Sequence, residues 1–230
     1  MGGELLKVGE GGRDAVRGVR NVVFDWSGTL VNDLPPVLET SNRLLEAYGA
    51  AAMGEEEFRR RFRLPWVHFY EELLPGVPIE ELEVRFQELF EEAESVPELI
   101  PHAREFLEYC QGRGMRLFVL SAIPEDHFEE QAERMGLAKF FEGRYLGVRD
   151  KRHCVHEIVE GHGLEREVTM LVGDMEHDMD TARHGGLKAV ATLTGYNFHA
   201  QLYSAGPDLI VENLSELRSI MSGAEKRETL

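Results

Sequence analysis

Three polar side chains stand at the ends of apolar runs. Asp25 closes Asn21-Val22-Val23-Phe24, Ser121 closes Arg116-Leu117-Phe118-Val119-Leu120, and Asp174 closes Val168-Thr169-Met170-Leu171-Val172-Gly173. Asp178 follows Asp174 by one helical turn. A carboxylate in such a place can cap a turn or a helix. It can also act as a nucleophile or as a ligand for a hard cation such as Mg²⁺. What favours chemistry here is convergence. Each run reads as a strand, and ligands of open parallel sheets bind beyond the carboxyl ends of the strands. Polar residues far apart in sequence are thereby brought to one edge.

The elements that position them alternate. After Pro97 and Pro101 a helix near His102–Gln111 precedes the strand ending at Ser121. A helix after Pro124, a short strand around Tyr145-Leu146-Gly147 and a helix over Arg152–Gly161 come next. The strand ending at Asp174 leads to a helix near Met179–His184, a strand at Lys188–Leu193, an edge strand at Asp208–Val211 and a last helix at Leu214–Met221. Such alternation implies a parallel sheet covered on both faces. Between the first strand and Pro97 the pattern is different. Leu38, Leu44, Leu45 and Tyr48, and later Leu82, Phe86, Leu89 and Phe90, suit helical stripes, with no convincing strand among them. The expected fold class is therefore α/β, a doubly wound parallel-sheet, Rossmann-like core with an inserted all-helical domain. The expected division is a loose leader over 1–20, a core over 21–33 and 97–230, and a helical insert of three to five helices over 34–96.

Composition narrows the partners. The chain has 230 residues, 43% of them hydrophobic, enough for one sizeable core or a core with a smaller insert. Its formal net charge of −17 opposes non-specific nucleic-acid binding. An anionic ligand would need locally concentrated positive charge. No apolar stretch reaches the ~20 residues of a membrane span, and residues 1–20 lack the apolar segment of a secretory signal. The two cysteines, Cys110 and Cys154, do not form a disulfide framework. A reducing, cytoplasmic setting is expected, with no nucleic-acid or membrane partner.

The constellation resembles the haloacid dehalogenase superfamily, in the phosphoglycolate-phosphatase-like branch with a helical cap. Asp25-Trp26-Ser27-Gly28-Thr29-Leu30 looks like its nucleophile motif, Ser121 like the second, Lys151 like the third, and Gly173-Asp174-Met175-Glu176-His177-Asp178 like the acidic fourth. The resemblance implies a Mg²⁺-dependent phosphatase of a small phosphorylated metabolite, working through an aspartyl phosphate on Asp25. It implies metal ligation by Asp25, the Ser27 main-chain carbonyl, Asp174 and Asp178. Lys151 would neutralise the transferring phosphoryl group, and Ser121, Ala122 and the backbone around Gly28 and Thr29 would hold it. His177, lacking zinc-type neighbours, is read as incidental.

Ser27 departs from the family pattern, which usually has a second Asp there as general acid and base. A serine hydroxyl replaces it poorly, and general acid–base catalysis is typically worth about 10²–10⁴-fold. Slow turnover, a long-lived aspartyl phosphate, an activated leaving group or a substitute acid such as Asp33 are the expected consequences. A Schiff-base phosphonate hydrolase is disfavoured because no lysine lies between Lys7 and Lys139. A 2-haloacid dehalogenase is disfavoured by the paired acids Asp174 and Asp178. A catalytically weak phosphometabolite-binding relative is the remaining alternative. Of the insert's arginines Arg59, Arg60, Arg61 and Arg63, the last, next to Pro65, is the candidate to reach the cleft and meet a substrate carboxylate, the alternative being a solvated basic helix face. Neither the substrate's identity nor an oligomeric state is encoded in motifs of this kind.

Overall fold

The computed structural model describes residues 14–225. Six strands form one parallel sheet: β1 (Asn21–Phe24), β4 (Arg116–Leu120), β5 (Gly143–Tyr145), β6 (Thr169–Gly173), β7 (Lys188–Thr192) and β8 (Leu209–Val211). Their order across the sheet is β5-β4-β1-β6-β7-β8. The short central strand β1 pairs with β4 on one side and β6 on the other, in parallel both times. The chain thus builds outward from β1 to β5, then returns and builds outward to β8. The crevice at such a reversal, beyond the carboxyl ends of the strands, is where open α/β sheets hold ligands.

The apolar runs are continuous because both faces of the sheet are covered. Side chains alternate between the faces with period two. Val22, Phe24, Leu117, Val119, Met170 and Val172 enter one core cluster. Val23, Phe118, Leu120 and Leu171 enter the other. Helices α5 (Ala103–Gly112), α6 (Glu125–Arg134) and α10 (Leu214–Glu225) pack on the first face. Helices α7 (Lys151–Gly161), α8 (Glu176–Gly185) and α9 (His199–Ala205) pack on the second.

Four helices lie between Asn32 and Glu98: α1 (Leu34–Ala47), α2 (Glu55–Arg61), α3 (Val67–Leu73) and α4 (Ile79–Glu91). They form a separate helical region with its own cluster, including Leu44, Leu45, Phe58, Phe69, Leu82 and Leu89. The chain leaves the core and re-enters it through a two-stranded antiparallel pair, β2 (Val31–Asn32) and β3 (Glu98–Leu99), with Asn32 opposite Glu98. No helix among the described residues is long and apolar enough to cross a membrane.

Several boundaries differ from the sequence expectation. Helix α8 starts at Glu176, not near Met179, because the Asp178 carboxylate accepts the Met175 N–H at 3.0 Å and caps the first turn. Strand β5 sits two residues earlier than expected, and α9 was not expected. The Gln201 side chain starts α9 by accepting the Phe198 N–H at 3.0 Å, a signal without apolar periodicity. Most of the leader, residues 1–13, lies outside the described residues. Its last part is not loose: Val16 and Val19 are buried in the first core cluster.

Candidate active site

Asp25 extends β1 by one residue, its N–H donating to Val172 O at 2.9 Å. That bond turns its carboxylate onto the sheet edge, where it is 3% exposed. The Trp26 N–H donates to Asp25 Oδ1 at 2.6 Å, and the Trp26 indole is anchored by Gln131 Oε1 at 2.8 Å. Lys151, the first residue of α7, is fully buried and bridges two acids. Its Nζ lies 2.7 Å from Asp25 Oδ1 and 2.8 Å from Asp178 Oδ1. Its N–H donates to His177 Nε2 at 3.1 Å. That bond requires the Nε2 lone pair, and burial together with the Lys151 charge lowers the His177 pKa. His177 therefore helps fix the start of α7 as a neutral ring.

Asp174, ending β6, is held at both oxygens. Thr29 Oγ1 donates to Oδ1 at 2.9 Å and the Tyr196 N–H donates to Oδ2 at 2.7 Å. Asp25, Asp174 and Asp178 each offer an oxygen within 4.8 Å of the others. Burial raises Asp25 to about 7, Lys151 pulling it down and Asp178 pushing it up. Asp174 is pushed well above the ordinary carboxyl range by burial and by Asp25 and Asp178. Burial disfavours the Lys151 charge, yet Asp178 and Asp25 together raise its pKa. One ammonium set against three buried carboxylates leaves negative charge uncompensated. Hard oxygen donors with excess charge suit a divalent cation, so the donor set fits a metal ion.

Ser121 follows β4 and is 1% exposed, its N–H donating to Tyr145 O at 2.9 Å. Asp25, Ser27, Ser121, Ala122 and Lys151 all line one cavity of about 180 Å³. Gly28 and Thr29 sit beside it on the Asp25 loop. Gly28 has φ +76, and a Cβ there would stand 2.3 Å from Asp174 Oδ2, so the turn needs glycine for conformation and for space. Asp33 is buried and also lines the cavity. Its carboxyl is raised to about 6 by burial, against hydrogen bonds from Ser27 and Tyr196. The Tyr196 hydroxyl donates to Asp33 Oδ1 at 2.9 Å.

Arg63 does not meet its expectation. Its guanidinium pairs with Glu72 at 2.7 Å and is half exposed, outside the cavity lining. Glu72 also takes Arg61, so one acid draws both arginines to the surface. Arg59 is the one that reaches the core. It donates to Tyr196 O at 3.1 Å and stacks over the Phe198 ring at 4.2 Å. On the other flank Arg149 pairs with Glu83 of α4 at 2.6 Å, and Phe90 stacks on His127 at 5.1 Å. These contacts seat the helical region over the carboxylates.

The sequence reading missed the loop Thr194-Gly195-Tyr196-Asn197 after β7. Thr194 Oγ1 donates to Gly28 O at 2.8 Å, and Gly195 packs against Gly28 and Asp174. A signal was present: a glycine directly beyond the carboxyl end of a parallel strand.

Comparison with known proteins agrees with this geometry. A phosphoglycolate phosphatase of Synechococcus elongatus is 28% identical over 200 residues, covering 85% of this chain and 94% of the relative. One from Vibrio parahaemolyticus is 23% identical over 225 residues, covering 89% and 96%. A hydrolase of the haloacid dehalogenase-like family from Streptococcus pneumoniae superposes with a TM-score of 0.78 at 20% identity, covering 88% of this chain and 98% of that one. A family model matches residues 22–192, well over half of the sequence, and by that match the chain belongs to the haloacid dehalogenase-like hydrolases.

Proposed function

We propose that the chain is a Mg²⁺-dependent phosphatase of small phosphorylated metabolites, with Asp25 as the nucleophile that takes up the phosphoryl group. The observation that carries this is the buried cluster of Asp25, Asp174 and Asp178, with Lys151 bridging Asp25 and Asp178. The relatives named phosphoglycolate phosphatases support the phosphomonoester chemistry. Asp25, Asp174, Asp178 and the Ser27 main chain would hold the metal. A bound Mg²⁺ would supply charge neutralisation for the phosphoryl oxygens and favour the ionised nucleophile.

The chain's own groups do the rest. The Asp25 carboxylate attacks phosphorus, which splits one displacement into two. Lys151 offers its ammonium to the developing charge. Ser121, Ala122 and the amides near Gly28 and Thr29 donate to the phosphoryl oxygens. The helical region, as a cap, excludes water during the first step. A dehalogenase would have no use for the additional acids Asp174 and Asp178. A site that had lost catalysis would not be expected to keep all three acids, two of them paired with a buried lysine.

A panel of phosphorylated metabolites assayed with and without Mg²⁺ tests the reading. Phosphate release that needs Mg²⁺ and disappears in Asp25→Asn is the expected result. No phosphate release and no acid-stable phosphoenzyme with any substrate would sink it.

A further inference from the structure

The cavity over Asp25 has two ends of different chemistry. Asp25, Ser121 and Lys151 line it from the core. Its wall carries the rings of Phe62, Trp66, Tyr70, Phe86, Phe90 and Tyr196. The rings support one another: Trp66–Tyr70 at 6.0 Å between centroids, Tyr70–Phe86 at 6.3 Å, Phe86–Phe90 at 6.0 Å and Phe62–Tyr196 at 5.3 Å. Such a wall favours an apolar group and penalises a charge without a partner. Among the described residues, Lys151 is the only lysine or arginine in the lining, and its ammonium is held between Asp25 and Asp178. The other acids there are Asp33 and Glu83, and Glu83 is paired with Arg149. A carboxylate on the substrate, as in phosphoglycolate, would meet an aromatic lining whose one further basic side chain is His127, stacked on Phe90. The whole cavity holds about 180 Å³, and an apolar cavity of about 150 Å³ holds benzene, so no more than a single ring fits beside the phosphoryl group.

A second observation concerns the leaving group. The hydroxyl nearest the nucleophile in sequence is Ser27, which lines the cavity together with the Asp33 carboxylate. Tyr196 donates its hydroxyl to the same carboxylate. With Asp33 accepting from Tyr196, the position two residues after the nucleophile offers a departing oxygen only a serine hydroxyl, which is a poor acid. An alkoxide, with a conjugate acid near that of water at about 15.7, leaves poorly without a better one. A phenoxide, with a conjugate acid near 10, needs it far less.

Resting on the phosphatase reading above, we propose that this site takes phosphate monoesters of phenols, with the aryl ring in the aromatic compartment. In the first step the Asp25 oxygen bonds to phosphorus as the phosphorus–aryl oxygen bond breaks. The bond electrons leave with the phenoxide, which takes a proton from solvent. In the second step water attacks phosphorus, the aspartyl oxygen–phosphorus bond breaks, and Asp25 returns as carboxylate with phosphate released. The sum is one ester and one water giving one phenol and one phosphate.

Steady-state kinetics of the full chain with Mg²⁺ on phenyl phosphate, benzyl phosphate and 2-phosphoglycolate tests this. Benzyl phosphate keeps the ring and restores an alkoxide leaving group. The expected kcat/KM for phenyl phosphate exceeds that for 2-phosphoglycolate by about 10² or more. The KM values for phenyl and benzyl phosphate are expected to be similar, with kcat on benzyl phosphate lower by about 10² and raised selectively by Ser27→Asp. Phe86→Ala is expected to raise KM for phenyl phosphate by roughly 5-fold. A kcat/KM for 2-phosphoglycolate equal to or above that for phenyl phosphate overturns the aryl assignment and leaves the phosphatase reading standing. Phosphate release from none of the three overturns both.

Discussion

Replacing Gly195 by alanine tests the geometry around Asp174 directly. A Cβ there would lie 2.1 Å from Asp174 Oδ2 and 2.6 Å from Gly28 Cα. The second contact is with backbone, so no side-chain rotation relieves it. The first is with an oxygen held by the Tyr196 N–H at 2.7 Å, on the residue following Gly195. Reaching an ordinary contact requires a separation of more than 3.4 Å, a shift of roughly 1 Å shared by the carboxylate and the Gly28 turn. Overpacking of this kind typically costs about 1–3 kcal/mol of stability. A misplacement of about 1 Å in a catalytic array can cost about 10²-fold in rate. The variant should therefore unfold at lower urea, bind Mg²⁺ more weakly, and lose about 10²-fold in kcat/KM. Urea denaturation, Mg²⁺ titration by calorimetry and phosphate release read these three quantities. A Gly195→Ala protein with unchanged Mg²⁺ affinity and unchanged midpoint would refute the placement of this loop against Asp174.

Three other outcomes follow from the same site. Lys151→Met strips Asp25 and Asp178 of their buried counter-charge, so urea denaturation in EDTA should show a loss of about 3–5 kcal/mol, much of it restored by Mg²⁺; a loss below about 1 kcal/mol would contradict the pairing. Asp25 is raised from 3.8 to about 7 and Asp174 is also raised, so the metal-free fold holds its full contribution from these groups below the ordinary carboxyl pKa and loses it as pH climbs toward 7. Mg²⁺ competes with those protons and should raise Tm more at pH 8 than at pH 5; equal shifts would contradict the shared site. Trp26→Phe leaves Gln131 Oε1 without its 2.8 Å donor in the interior, which should cost roughly 1–3 kcal/mol by urea denaturation; a change under about 0.5 kcal/mol would mean that the bond contributes nothing.

Much of the site was legible because chemistry and fold share the same short segments. Asp25, Ser121 and Asp174 each follow a fully apolar run, and the run makes both the strand and the direction in which its last residue projects. The helical character of the insert was equally legible from its stripes, and Leu44, Leu45, Leu82 and Leu89 are buried as those stripes imply. What escaped depends on partners remote in sequence. The two-residue strands β2 and β3 are too short for any period to register. Arg63 fails because Glu72, not the cleft, offers it a carboxylate. Gly195 and Tyr196 serve the site through the packing of one loop on another, and a single glycine after a strand does not name the residue it must avoid. Asp33 gains its place from the Tyr196 hydroxyl, which no local pattern connects to it.

The antiparallel pair through which the chain leaves and re-enters the core has a consequence for how specificity can change. Asn32 and Glu98 face each other, so the two points of attachment lie roughly 5 Å apart. Whatever hangs between them adds little to the closure entropy felt by the sheet, because that entropy grows only slowly with loop length. Five of the six rings of the aromatic wall, Phe62, Trp66, Tyr70, Phe86 and Phe90, belong to that suspended segment, whereas Tyr196, Asp25, Lys151, Asp174 and Asp178 belong to the frame. Mutational drift, insertion or wholesale exchange of the hanging part can thus retune which molecule is admitted, while the reaction centre keeps its register across the doorway.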